Sequence, residues 1–112
     1  SLYNEKDNIL LTDDPEIAVK NADLIVTDVW VSMGQEEEEE ERKKIFKPLQ
    51  VNNAIMNLAN KDAIFMHCMP AHRDEEVTSD VLDSKFSVIW QEAENRLHAQ
   101  KALLEYLLVK NN

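Results

Sequence analysis

An apolar run that stops abruptly at a histidine, a cysteine and a proline constrains this chain more than any other stretch in it. Ala63-Ile64-Phe65-Met66 leads straight into His67-Cys68-Met69-Pro70 and then into the polar loop Ala71-His72-Arg73-Asp74-Glu75-Glu76. A short continuous apolar segment closed by a helix-breaking proline predicts a buried strand. Imidazole and thiol then stand at the strand's carboxyl end, where open α/β sheets gather their ligands. Spacing alone leaves two readings of this run: a reactive site, or a strand end packed under a loop.

The rest of the chain predicts the setting for that strand. Ile9-Leu10-Leu11 is a short strand candidate, and Asp13-Asp14-Pro15-Glu16 supplies a capping aspartate with proline at the first helical position, predicting a helix over 15–20. Residues 24–29 are largely β-branched and apolar, as in a parallel strand covered on both faces, and they end in Asp28 and a second candidate site loop. Glu36 to Glu41 is a run of six glutamates followed by Arg42-Lys43-Lys44. This reads as the solvated start of a helix with i, i+4 pairs Glu38–Arg42, Glu39–Lys43 and Glu40–Lys44, ended by Pro48.

Ile55, Met56, Leu58 and Ala59 fall on one side of a short helix, and Met56 and Met66 read as core filler. Thr78-Ser79-Asp80-Val81-Leu82 predicts a capped helical turn, 86–90 a fourth strand and 91–110 a long helix. The fold class is therefore α/β: a partial Rossmann-like parallel sheet of about four strands flanked by helices, with a long C-terminal helix.

Composition excludes several functions. Twelve Lys and Arg against 22 Asp and Glu give a net charge of −10, which argues against nucleic acid or an anionic membrane as partner. With Cys68 as its single cysteine the chain makes no internal disulfide and reads as intracellular. No apolar run approaches the ~20 residues of a membrane span, and the first eight residues lack a signal peptide's apolar core. At 112 residues the chain is one domain at most.

Two further segments narrow the first run's meaning: Asp28-Val29-Trp30-Val31-Ser32-Met33-Gly34-Gln35-Glu36 and Glu92-Ala93-Glu94-Asn95-Arg96-Leu97-His98-Ala99-Gln100-Lys101. With His67-Cys68-Met69-Pro70, in this order and at these separations, they resemble the ornithine carbamoyltransferases, which join ornithine and carbamoyl phosphate to give citrulline and phosphate. The resemblance runs from about Ile9 to about Leu108. Ser32-Met33-Gly34 is its most specific part, since carbamoyltransferases that use aspartate or putrescine differ there. Met69 departs from the family's usual leucine, a volume-conserving exchange.

The resemblance implies roles residue by residue. It assigns Asp28, Ser32 and Met33 to ornithine binding; read alone, Asp28 and Ser32 are equally loop caps and turn hydroxyls. Ornithine's δ-amine has a pKa near ~10.4 and must lose a proton before it attacks, while a thiol near ~8.5 can serve as acceptor once cationic neighbours stabilise the thiolate. The resemblance gives Cys68 that role and places Cys68, Met69 and Arg96 against carbamoyl phosphate. A fixed guanidinium such as Arg96 can stabilise the charge that grows on the carbonyl oxygen. His67 and Pro70 read as supporting residues. His67, Cys68 and His72 supply only three ligands within one loop, so no metal site is expected, and the family implies no cofactor.

The resemblance also implies partners. With one glycine and three arginines, no phosphate cradle can be read, so the carbamoyl-phosphate domain is expected to come from a missing N-terminal part. Residues 1–90 are then a partial ornithine-binding domain, and 91–112 a helix whose leucines pack on that absent domain. The resemblance implies that the intact protein is a homotrimer or an assembly of trimers, and a cytoplasmic location is expected. Two other readings stay open: a carbamoyltransferase for a different amine, and a non-catalytic binding or scaffold fragment.

Overall fold

The computed structural model describes residues 8–32, 34 and 36–109. Helix α1 (Pro15–Val19) begins as its sequence dictates: Pro15 occupies the first turn and the Asp14 side chain accepts the Glu16 N–H at 2.9 Å. Strand β1 (Leu24–Thr27) follows, and the chain crosses over through α2 (Glu39–Phe46) and α3 (Asn53–Leu58) to strand β2 (Ile64–His67). The two strands are parallel, with Leu24 opposite Ile64 and Thr27 opposite His67. Helices α4 (Ser79–Leu82) and α5 (Ile89–Val109) complete the order.

The core lies against one face of this sheet. Ile25 and Phe65 point into it and meet Val19, Val51, Met56, Val77, Val81, Leu82 and Ile89. On the opposite face Leu24, Val26 and Ile64 stay 45, 55 and 39 % exposed. Coverage on both faces, expected from the apolar run of β1, is therefore not met among the described residues. Burying both faces takes a layer of helices on each side, and here α1 and α3 pack against each other while α5 contacts β2.

The α/β class with a parallel sheet stands, but the described residues form two strands rather than about four. Ile9, Leu10 and Leu11 lie exposed outside any strand, because an apolar triplet becomes a strand only where a neighbour offers a ladder to pair with. The stretch expected as a fourth strand makes a single parallel bridge, Phe65 to Ser87. Its pairing stops at Val88, whose carbonyl accepts the Glu92 N–H at 2.9 Å and so opens α5 two residues earlier than expected.

The glutamate run does open a helix, through a 3-10 turn at Glu36–Glu38 into α2. Two of the three expected pairs form, Glu38 with Arg42 at 3.2 Å and Glu39 with Lys43. Glu40 and Lys44 are both exposed, and the third pair does not form among the described residues. Asn52 caps α3 by accepting the Ile55 N–H at 3.0 Å. Met56 is buried as expected and Ile55 and Ala59 pack on the core, but Leu58 is 46 % exposed. Thr78 takes the cap position of α4 without a side-chain bond; the Asp74 carboxylate accepts from Ser79 N and Oγ at 2.9 and 3.0 Å instead.

Candidate active site

Parallel strands in register end side by side, so residues 28 and 68 leave the sheet at the same edge. The first loop is held from below. Trp30 is buried and stacks on Phe46 of α2 with ring centroids 6.3 Å apart, which leaves Asp28 and Ser32 at the surface. Asp28 Oδ1 accepts the Val29 N–H at 2.8 Å, a local turn bond that engages one of its two oxygens.

The second loop hangs from a buried pair of side chains. His67 and Glu76 are both fully buried, and His67 Nε2 lies 2.7 Å from Glu76 Oε1 while Nδ1 faces the Cys68 carbonyl. Glu76 Oε1 also accepts the His72 N–H at 2.6 Å. One carboxylate therefore closes the loop 67–76 on itself, with His67 below and Cys68, Met69 and Pro70 exposed above. Gln50 adds an outer tie, donating to the carbonyls of Asp74 and Glu75 at 2.9 and 2.6 Å.

Lys43 ties α2 to the second loop. It bonds Glu39 on its own helix and reaches Glu75 at 2.8 Å, and the hydrogen bond to Glu39 first, then that to Glu75, raises its ammonium above the ordinary lysine range. His72, Glu75 and Glu76 bring three potential metal-ligand atoms within 4.8 Å of one another, but Lys43 already neutralises Glu75. Among the described residues His67, Cys68 and His72 do not form such a group.

A cavity of about 550 Å³ opens between the loops, lined by Asp28, Ser32, Glu39, Cys68, Met69, Pro70 and Glu75 among others. A second, of about 420 Å³, is lined by His67, Cys68, Met69, Glu92, Ala93 and Arg96. Cys68 and Met69 belong to both, and so form a wall between the Asp28–Ser32 loop and the Arg96 face of α5. Of the residues singled out from sequence, Asp28, Ser32 and Pro70 line the first space and His67 and Arg96 the second. Met33 lies outside the described residues.

Two residues of this architecture escaped sequence reasoning: Glu76, which orders the loop, and Glu92, whose Oε2 accepts the His67 N–H at 2.9 Å. Nothing in the string distinguishes Glu76 from Glu75, because which of two adjacent carboxylates turns inward is set by the loop's path.

Residues 2–107 match the family profile described as aspartate/ornithine carbamoyltransferase, Asp/Orn binding domain. The chain belongs to the aspartate/ornithine carbamoyltransferase family. It is 66 % identical over 97 residues to the ornithine carbamoyltransferase of Hydrogenovibrio crunogenus, covering 87 % of this chain and 32 % of that protein. It is 65 % identical over 98 residues to that of Pyrococcus horikoshii, covering 88 % and 31 %.

The fold is shared as well. The ornithine carbamoyltransferase structure from Pyrococcus furiosus superposes with a TM-score of 0.76 at 65 % identity, covering 82 % of this chain and 29 % of that one. The anabolic ornithine carbamoyltransferase from Campylobacter jejuni gives 0.79 at 44 % identity, covering 87 % and 32 %. The chain spans about a third of the length of the curated relatives it matches. No described helix is long and apolar enough to cross a membrane.

Proposed function

We propose that this chain forms the ornithine side of an ornithine carbamoyltransferase, whose carbamoyl-phosphate domain is supplied by the rest of a longer polypeptide. The observation that carries the reading is the wall of Cys68 and Met69 shared by the two cavities. An amino acid held on the Asp28 side presents its amine to Cys68, and an acyl donor on the other side lies within the reach of Arg96. A single thiol then faces the nucleophile and the electrophile together.

On this reading the second Asp28 oxygen, the Ser32 hydroxyl and the Met33 amide hold ornithine's α-ammonium and α-carboxylate. The δ-ammonium gives one proton to the Cys68 thiolate, its nitrogen attacks the carbonyl carbon of carbamoyl phosphate, and the second proton it sheds on forming the C–N bond goes to the departing phosphate. The bond from that carbon to the phosphate oxygen breaks and phosphate leaves. Arg96 stabilises the charge on the carbonyl oxygen as it forms. Pro70 closes the wall, and His67 supports it from beneath through Glu76.

The reading extends to the assembly. The leucines of α5, among them Leu97, Leu103 and Leu104 at 66, 57 and 58 % exposure, pack on the carbamoyl-phosphate domain, and the parent is a cytoplasmic homotrimer without nucleic-acid or membrane partners. A chimera that carries this segment in place of the matching stretch of the Pyrococcus furiosus enzyme tests the function. It is expected to form citrulline from L-ornithine and carbamoyl phosphate and to give no product from putrescine, which lacks the α-amino acid group. A folded chimera that carbamoylates putrescine as readily as ornithine refutes the assignment of the Asp28–Ser32 loop.

A further inference from the structure

Glu92 stands in for a missing rung of the sheet. Beside β2, Phe86 O accepts the Phe65 N–H at 2.7 Å and Val88 N–H donates to Phe65 O at 3.0 Å. The next rung of such a parallel ladder runs from His67 N–H to Val88 O. Val88 O is instead taken by the Glu92 N–H at 2.9 Å, as the first bond of α5. This would strand the amide of His67, a fully buried residue, and buried amides require an acceptor. Glu92 Oε2 supplies it at 2.9 Å.

The consequence reaches Arg96. Residues 92 and 96 are one turn apart on the same face of α5, and both line the cavity that Cys68 and Met69 close. A hydrogen bond from one side chain on that face to the end of β2 sets the rotation and height of the helix's first turns against the strand. The guanidinium one turn further on takes its place from the same anchor. The carboxylate acts on the backbone of the strand that leads into Cys68, and on Arg96 only through the helix.

We propose that Glu92 is a positioning residue for the carbamoyl transfer: it locks α5 to the end of β2 so that Arg96 meets the substrate beside Cys68 and Met69. This rests on the reading of Arg96 given above. Glutamine keeps an oxygen acceptor at the same reach, leucine keeps the volume without an acceptor, and aspartate keeps the charge one methylene short of the His67 amide.

The test uses the Pyrococcus furiosus chimera and steady-state kinetics. Glu92→Leu and Glu92→Asp are expected to lower kcat on the order of 10²-fold, as a misplacement of about 1 Å does. The KM for ornithine should hold, because the interaction lost is made in the transition state. Glu92→Gln is expected to restore most of kcat. On an Arg96→Ala background, Glu92→Leu should cost nothing further, since both changes remove one effect.

Losses that multiply in the double variant overturn the proposal, because they show Glu92 acting independently of Arg96. Glutamine as damaging as leucine overturns it as well, as does a rise in KM with kcat kept. Should the leucine variant fail to fold, aspartate on the same two backgrounds gives the same decision. A folded but inactive unsubstituted chimera overturns the functional reading itself, whereas an active one indifferent to Glu92 overturns this inference alone.

Discussion

Truncating Glu76→Ala should be the most destabilising single change in the loop that carries Cys68. The side chain is fully buried, and its Oε1 serves two donors, His67 Nε2 at 2.7 Å and the His72 N–H at 2.6 Å. Alanine leaves both facing a void, and each orphaned donor in a dry site costs about 1–3 kcal/mol. With both donors orphaned the loss should be roughly 2–6 kcal/mol. Glu76→Gln keeps the oxygen that accepts and places an amide nitrogen where Oε2 has no hydrogen-bond partner, beside His72 Nδ1 at 3.8 Å. It should cost about 1 kcal/mol, the worth of an ordinary hydrogen bond. Urea unfolding followed by circular dichroism, with the slope m unchanged, reads both losses as shifts of the midpoint. An alanine variant that loses under about 1 kcal/mol would refute the reasoning, since water or the loop itself would then be satisfying both donors.

The remaining predictions concern the site and its pH dependence. In the chimera, Cys68→Ala should cut turnover far more than it weakens binding of L-norvaline, an ornithine analogue without the reacting amine; turnover that survives intact removes the proton acceptor from Cys68. Arg96→Ala should lose about 2.7–4 kcal/mol of transition-state stabilisation, as for a lost oxyanion donor, and a fall in kcat of less than tenfold would demote it to a structural role. The hydrogen bond from Arg73 holds the Asp83 carboxyl below its ordinary value, and the bonds from Ser79 N and then Ser79 Oγ do the same for Asp74. A lowered folded-state pKa adds stability above the unfolded value, lost as pH falls through the folded one. The gap in stability between the parent chain and Asp83→Asn should therefore be open at neutral pH and close below about pH 4. A gap that persists undiminished at low pH contradicts the ion pair at 2.7 Å.

Much of this protein was legible in its string because the signals are local. Local patterns predicted α1, β1, α3 and β2, since a capping aspartate, a one-sided apolar face and a β-branched run act through neighbours a few residues away. The glutamate run declared a helix start for the same reason. Three short segments identified the family. Ile9-Leu10-Leu11 failed as a strand, and residues 86–90 became half strand and half helix, because pairing depends on whether a partner edge is present and on where a carbonyl turns from ladder to helix. No local pattern carries either fact.

By itself, the sequence determined the α/β class, the order of most elements, the net charge of −10, and the family membership from which the roles proposed for Asp28, Ser32, Cys68, Met69 and Arg96 follow. Only the tertiary structure decided that Glu76 rather than Glu75 turns inward beneath His67, that Lys43 ties α2 to the second loop, and that Glu92 completes the last rung of β2. The division has one physical cause. Propensity and patterning act over a few residues of chain, whereas the partner of a buried donor is chosen by which groups the fold brings within about 3 Å of it, whatever their separation in sequence.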